Sequence, residues 1–140
     1  MDRVPLIELL ARKFRLAIEK TGNSLFNNFP FGCCGEASKL LQKYLSTNCI
    51  ETVYVWGRWG EQSHGWLEHD SLIIDITADQ FPDIFENVIV TYDRSWHTKF
   101  KYQDKYIVDF EKFESMPRER FRAKYNTIVK EISSSSAMCN

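Results

Sequence analysis

The fold is decided by residues 63–77, which spell S-H-G-W-L-E-H-D-S-L-I-I-D-I-T. β-Branched and aromatic side chains favour strands on both sides of a polar centre, over 63–69 and 71–77. We predict that these two strands are antiparallel and that a tight turn at His69-Asp70 joins them. This hairpin is the starting point for the rest of the chain.

His64 and Asp75 are the residues of this hairpin that carry chemistry. A two-residue turn at 69–70 pairs His64 directly with Asp75 on one face of the sheet, with Cβ atoms about 4.5–5.5 Å apart. An imidazole and a carboxylate hydrogen-bond at that separation, whereas a slip of one residue would put them on opposite faces. The hairpin therefore predicts a His–Asp pair.

The flanking sequence predicts an α+β domain. Apolar residues recur at helical spacing over 4–21 and 34–46, and a last helix over 117–132 opens with a proline suited to a first turn. Further strands are predicted over 51–58, 87–92 and 106–110, and the polar segment 93–105 is predicted to be irregular. Residues 1–132 then form a single domain, and 133–140 are predicted to be a disordered tail.

Composition excludes several functions. The 140 residues hold 18 basic and 19 acidic side chains, and the formal net charge of −1 lacks the positive field of a general nucleic-acid binder. No apolar run approaches the roughly 20 residues of a membrane-spanning helix. The N-terminus, M-D-R-V-P-L-I-E-L-L, has charges where a signal peptide is apolar. We therefore expect a cytoplasmic protein that binds neither nucleic acid nor membrane.

The four cysteines, Cys33, Cys34, Cys49 and Cys139, do not form a disulfide or zinc pattern. Two are adjacent, and no C-x-x-C pair occurs, so a disulfide framework and a structural zinc site are both disfavoured. We expect Cys49 to be a core thiol and Cys139 a tail thiol.

Cys33 and Cys34 lie at the start of the predicted second helix. A thiol at a helix N-terminus feels the positive end of the helix dipole, which lowers its pKa and favours the reactive thiolate. Gly32 and Gly35 on either side allow the backbone to approach a bound carbonyl closely, and N–H groups of the first turn can bind an oxyanion. Cysteine, histidine and aspartate together make a set for acyl transfer.

Three motifs resemble the transglutaminase-like branch of the papain-like cysteine proteases. They are G-C-C-G-E-A-S at 32–38, H-G-W-L-E at 64–68 and D-I-T at 75–77, in the order that the branch shows, and they span roughly residues 30–80. The chain is too short for the accessory domains and calcium sites of the large eukaryotic transglutaminases.

This resemblance implies a papain-like core in which a helix bearing Cys34 packs on an antiparallel sheet bearing His64 and Asp75, flanked by N- and C-terminal helices. It implies Cys34 as nucleophile, His64 as general base and Asp75 as the acid that orients the imidazole. Cys33 is one residue from the nucleophile position and stays an alternative. His97 is a second candidate for the base.

Several residues are candidates for supporting roles. The side chain that binds the oxyanion is open among Asn27, Asn28, Trp56 and Gln80. Trp66 and Gln80 are candidate binding residues, although packing beside His64 is the expected role of Trp66. We expect His69 to be solvated in the hairpin turn. We expect Trp56, Trp59 and Trp96 to lie in the core, and the lining of a groove is the alternative.

The expected function is cysteine-dependent acyl transfer or amide hydrolysis through a thioester, as in a peptidase, amidase, deamidase or transglutaminase. The expected substrate is a protein or peptide, and the reaction needs no metal or organic cofactor. One alternative is a catalytically inactive binding domain that keeps the fold. Another is a metal site formed by Cys33 or Cys34 with His64, which would carry stoichiometric zinc.

Overall fold

The computed structural model describes residues 2–21, 25–26, 28–107 and 115–138. In chain order the elements of this part are α1 (Val4–Thr21), α2 (Cys34–Thr47), β1 (Val53–Trp59), β2 (Gln62–His69), β3 (Leu72–Asp75), β4 (Ile89–Thr91), β5 (Lys101–Tyr106) and α3 (Ser115–Met138), with short 3₁₀ helices at Ala78–Gln80 and His97–Lys99. The described residues form an α+β architecture, which confirms the predicted class.

The five described strands form one antiparallel sheet in the order β4-β3-β2-β1-β5. The strands β1, β2 and β3 follow one another as a meander, because short turns join each to the next. Because β4 and β1 flank it, the hairpin of β2 and β3 lies in the interior of the sheet, and buried side chains cover both of its faces.

The turn of this hairpin is one residue later than predicted. Asp70 and Ser71 have positive φ angles of 46° and 71°, as the two central residues of a type I′ turn require. His69 therefore ends β2 and pairs with Leu72, and Leu67 pairs with Ile74. The register prediction was wrong by two residues, which preserves the face on which each side chain lies.

The prediction for residues 93–110 was wrong in part. The segment 93–105 contains the 3₁₀ helix at 97–99 and most of β5, which begins five residues before the strand predicted over 106–110. As the edge strand, β5 carries mostly polar side chains, so its hydrophobic alternation is weak. Residues 108–110 lie outside the described part.

The last helix is longer than predicted. It covers Ser115–Met138 in place of 117–132 and extends six residues into the segment 133–140, for which we predicted disorder. Residues 139–140, and with them the tail thiol Cys139, lie outside the described residues.

Two clusters of buried side chains lie on opposite faces of the sheet. On one face, α1 and α2 bury apolar stripes against β2 and β3, including Phe14, Leu41, Leu67 and Ile74. On the other face a smaller, aromatic cluster contains Val55, Trp66, Ile73, Phe81 and Phe100. Side chains alternate along a strand, so His64 shares the aromatic face with Trp66, while Gly65 faces α2.

Candidate active site

Asp75 ends β3 and is the anchor of the candidate site. Its side chain is fully buried, and its Oδ1 accepts a 3.0 Å hydrogen bond from the backbone N–H of Thr77. Its Oδ2 lies 2.7 Å from His64 Nε2 and 2.7 Å from His97 Nε2. Burial alone would raise the pKa of this carboxyl, but the charge and hydrogen bond of His64, followed by those of His97, lower it far below the ordinary value.

His64 contacts Asp75 although the two residues are not directly opposite. Extending the observed register by one pair places Trp66 opposite Asp75, so His64 is a diagonal neighbour on the same face. The imidazole is long enough to reach across this diagonal. Burial opposes its protonation, but Asp75, and then Cys34, raise the pKa of His64 to about 9. The imidazolium is thus stabilised by two anionic groups.

Cys34 is the first residue of α2 and is half-buried beside His64. Burial raises the pKa of its thiol, but a hydrogen bond with His64, the charge of His64 and a hydrogen bond from the backbone N–H of Gly65 outweigh it, so the pKa lies below the ordinary value. Because Nε2 of His64 contacts Asp75, we assign the hydrogen bond with the Cys34 thiol to the other ring nitrogen, Nδ1. Gly65, next to His64 on β2, brings the strand backbone close to the thiol.

Cys33 has a different environment from Cys34. Its Sγ donates to the carbonyl oxygen of Phe31 at 3.3 Å, and the residue is buried as the N-cap of α2. Burial and the nearby charge of Glu36 raise the pKa of this thiol. The two adjacent thiols are therefore shifted in opposite directions, and only Cys34 is favoured as a thiolate.

His97, the alternative base, lies behind Asp75. Its ring is buried and its Nδ1 has no hydrogen-bond partner among the described residues. A proton on that nitrogen would be a buried donor without an acceptor, at a cost of about 1–3 kcal/mol. Of the two ring nitrogens, Nε2 is therefore the one whose N–H has an acceptor, Oδ2 of Asp75.

Gln80 reaches the candidate site from the 3₁₀ helix that follows β3. Its Nε2 donates to the carbonyl of Thr77 at 3.1 Å, which orients the amide, and lies 3.2 Å from His64 Nδ1. Its Oε1 accepts a 3.4 Å hydrogen bond from the N–H of Gly32, in the loop before Cys34. The amide N–H of Gln80 thus lies at the edge of His64 on the side of the thiol.

Of the other oxyanion candidates, Asn28 and Trp56 are the two that the structure describes, and neither hydrogen-bonds to His64. Asn27 lies outside the described residues, and Asn28 occupies a turn with a φ of 59°. Trp56 packs against the helix-side core cluster. Gln80 is therefore the oxyanion candidate that the geometry favours.

Trp66 packs in the wall of the site. Its ring centroid is 5.7 Å from that of His64, and its Nε1 donates to Glu68 at 2.9 Å. Phe81, Trp96 and Phe100 surround the imidazole with centroid distances of 5.2, 5.8 and 5.4 Å. These rings keep water from the His64–Asp75 contact, so its charges interact in a medium less polar than bulk water.

Arg15 is a supporting residue that the sequence analysis missed. It is buried on the apolar stripe of α1 and donates from Nη1 and Nη2 to both oxygens of Asp79 at 2.8 Å, and from Nη1 to the carbonyl of Ile76 at 2.6 Å. Asp79 directly precedes Gln80, so this pair fixes the 3₁₀ helix that presents the amide. An arginine between the apolar residues Phe14 and Ile18 was the available signal.

Three minor predictions were wrong. Trp59, expected in the core, is exposed at the end of β1. Cys49, expected in the core, is exposed in the turn that follows α2 and has a φ of 63°. His69, expected in the hairpin turn, ends β2, and its Nδ1 lies 2.7 Å from the carbonyl oxygen of Glu51.

His64, Asp75 and His97 also offer three ligand atoms within 4.8 Å of one another. Their geometry is that of hydrogen bonds, because the two contacts to Oδ2 measure 2.7 Å. Zinc ligands about 2.0–2.1 Å from a tetrahedral ion would lie about 3.3 Å apart. The cluster therefore fits shared protons better than a shared ion.

Comparisons with protein-family models, with curated proteins and with solved structures found no match to this chain. Within the described ranges, no helix has both the length and the apolar character that crossing a membrane requires.

Proposed function

We propose that this protein is a cysteine-dependent enzyme that transfers or hydrolyses an acyl group through a thioester, with Cys34 as nucleophile, His64 as general base and Asp75 as the orienting acid. The observation that carries the proposal is the continuous set of contacts from thiol to imidazole to carboxylate. The opposite pKa shifts of Cys34 and Cys33 support Cys34 as the reactive member of the pair.

The reaction begins when the Cys34 thiol gives its proton to His64 Nδ1. The thiolate attacks the carbonyl carbon of an amide, and a tetrahedral oxyanion forms. When it collapses, the C–N bond breaks, and the imidazolium returns the proton to the leaving amine, which leaves a thioester on Cys34. Water or a second amine then attacks the thioester carbonyl and gives its proton to His64. When this second tetrahedral intermediate collapses, the C–S bond breaks, the acid or new amide is released, and the imidazolium returns the proton to the thiolate of Cys34.

We assign two donors to the oxyanion. The backbone N–H of Cys34 lies in the first turn of α2, where it is not used by the helix. The Nε2–H of Gln80 lies beside the imidazole that faces the thiol. We assign Gln80 as the side-chain donor, held in place by Thr77 and, through Asp79, by Arg15.

The arrangement supports a transglutaminase-like relationship within the papain-like cysteine proteases. A helix that begins with the cysteine packs on an antiparallel sheet that carries the histidine and the aspartate on neighbouring strands, as that branch arranges them. The substrate class that we propose is a protein or peptide amide. The enzyme is a hydrolase if water attacks the thioester and a transferase if an amine does.

The test is the pH dependence of alkylation at each cysteine, followed by peptide mass spectrometry after brief iodoacetamide treatment. We expect Cys34 to be modified well below pH 8.5, the ordinary range of a thiol, and Cys33 only above it. His64→Ala removes the partner of the thiol and is expected to return Cys34 to ordinary behaviour. His69→Ala is the control, because that histidine lies at the other end of β2.

Either of two results would contradict the proposal. Slow alkylation of Cys34 at every pH would favour the alternative, a binding domain that keeps the fold without the activity. Fast alkylation of Cys33 would move the nucleophile to the other thiol. A direct test of acyl chemistry is treatment with p-nitrophenyl acetate, which is expected to leave an acetyl group on Cys34 and not on the Cys34→Ala protein.

A further inference from the structure

Asp75 Oδ2 is shared by two imidazoles, and the mechanism proposed above uses only one of them. His64 and His97 approach this oxygen at the same distance, 2.7 Å, and each does so through Nε2. A carboxylate oxygen only accepts, so both rings donate an N–H to it. Two donors on one oxygen compete for the same negative charge.

The two imidazoles differ at their other nitrogen. Nδ1 of His64 faces Cys34 and Gln80, whereas Nδ1 of His97 is buried without a partner. A proton on Nδ1 of His64 therefore faces the thiol, whereas an N–H at Nδ1 of His97 would be a buried donor without an acceptor. The Nε2–H of His97 places the positive end of a dipole at Asp75, on the same oxygen that stabilises the His64 imidazolium.

We infer that His97 is a positioning residue that draws part of the charge of Asp75 away from His64 and fixes the carboxylate for it. This inference deepens the proposed function and rests on it. A general base that must accept a proton and later return it works best when its pKa is not too high. Without the hydrogen bond from His97, Asp75 would stabilise the His64 imidazolium more strongly. The imidazolium would then be a weaker acid, and its return of the proton to the leaving amine would be slower.

The packing of the His97 ring can be tested separately from its N–H group. The His97 ring lies 4.8 Å from both Trp66 and Trp96, between centroids, so an aromatic residue can keep these contacts. Among the described residues, the titratable groups linked to His64 are Cys34 from α2, Asp75 from β3 and, through Asp75, His97. The replacement of His97 therefore changes one identified neighbour of Asp75.

The experiment measures the titration of His64 by NMR in the Cys34→Ala protein, where thiol chemistry does not contribute. His97→Phe keeps a ring and removes the donor, and we expect the pKa of His64 to rise by roughly half a unit to one unit, the worth of one hydrogen bond. His97→Gln keeps an N–H donor and is expected to restore most of the original value. His69→Gln is the control, and thermal unfolding establishes that each variant is folded.

Three results would overturn the inference. They are an unchanged or lowered pKa of His64 in His97→Phe, the same value in His97→Phe and His97→Gln, or stoichiometric zinc on the three side chains of the purified protein. Failure of the proposed function is distinguishable from failure of this inference, because the function is tested by alkylation of Cys34 in the native protein and the inference by the titration of His64 in Cys34→Ala. An unreactive Cys34 together with the expected shift of His64 would reject the activity and keep the charge sharing.

Discussion

The phenol of Tyr54 lies directly against Gly65, so that a Cβ at position 65 would come within 2.6 Å of ring atom Cε1. Tyr54 is buried on β1, and its hydroxyl also lies 3.4 Å from where a Cβ of Gly35 would be. The ring therefore fills the space between the residue after Cys34 and the residue after His64. It sets the separation between the start of α2 and β2.

We predict that Gly65→Ala forces these elements apart. An added methyl group in a filled site costs about 1–3 kcal/mol of unfolding free energy. Because the thiol depends on the neighbouring imidazole and on the Gly65 N–H, alkylation of Cys34 at pH 6 should also slow by about tenfold or more. Chemical denaturation and alkylation of the same samples provide the two measurements.

Gly35→Ala is the matched control for stability. Its Cβ would meet the Tyr54 hydroxyl at an ordinary contact distance, and alanine is the better helix former, so we expect a change of less than about 1 kcal/mol. Equal losses for the two variants would refute the role of Tyr54 as the spacer at Gly65.

Gln80→Ala is predicted to separate two properties of Cys34. Formation of the thiolate depends on His64 and the Gly65 N–H, so alkylation should change by less than about threefold at pH 6 to 8. Acetylation by p-nitrophenyl acetate passes through a tetrahedral oxyanion, and loss of one donor should slow it by about 100-fold. Rates of both reactions, measured in parallel, check the prediction, and equal effects on both would exclude an oxyanion role for Gln80.

We predict that breaking the buried Arg15–Asp79 pair lowers the free energy of unfolding strongly. Among the described residues, Asp79→Ala leaves the buried guanidinium with Glu19, two backbone carbonyls and the ring of Phe29 as partners. We expect the free energy of unfolding to fall by about 3 kcal/mol. Denaturant unfolding gives the value. The control is Glu8→Ala, which breaks the exposed Glu8–Arg12 pair on the same helix and should cost less than about 0.5 kcal/mol. A loss below about 1 kcal/mol for Asp79→Ala would contradict this account.

Much of the site could be predicted because it depends on local pattern. Cys34 opens a helix whose apolar spacing is clear, and His64 and Asp75 lie on two strands joined by a tight turn. The predicted register was wrong, yet the contact is present, because a shift of two residues keeps both side chains on one face and a diagonal neighbour is still within reach of an imidazole.

The remainder depends on contacts between residues that are distant in sequence. His97 reaches Asp75 from a 3₁₀ helix after β4, and Arg15 reaches Asp79 across 64 positions. Neither contact produces a periodic pattern in the sequence that could predict it. The edge strand β5 was predicted five residues too late for a related reason, because its order comes from pairing with β1 and its polar side chains do not signal a strand.

The last prediction concerns Asp75→Asn. The amide keeps the shape but loses the charge, and its NH₂ group meets an N–H donor from either Thr77 or the two imidazoles. We expect the pKa of His64 to fall from about 9 towards its ordinary value of 6.5, and alkylation of Cys34 at pH 6 to slow by about tenfold or more. NMR titration and the alkylation profile measure these effects.

The same variant predicts a change in acid stability. The pKa of Asp75 is held below its ordinary value of 3.8, so its charge stabilises the folded protein above that pH, and this contribution is lost as the pH falls through the folded value. The stability difference between the native protein and Asp75→Asn should therefore be largest between about pH 5 and 6.5 and shrink below pH 4, where Asp75 of the unfolded chain takes up a proton. It should also shrink as the pH rises from 6.5 to about 9, because the native protein then loses the proton that Asp75 stabilises on His64. A difference that stays constant down to pH 2.5 would mean that Asp75 does not bear the buried charge on which both histidines depend.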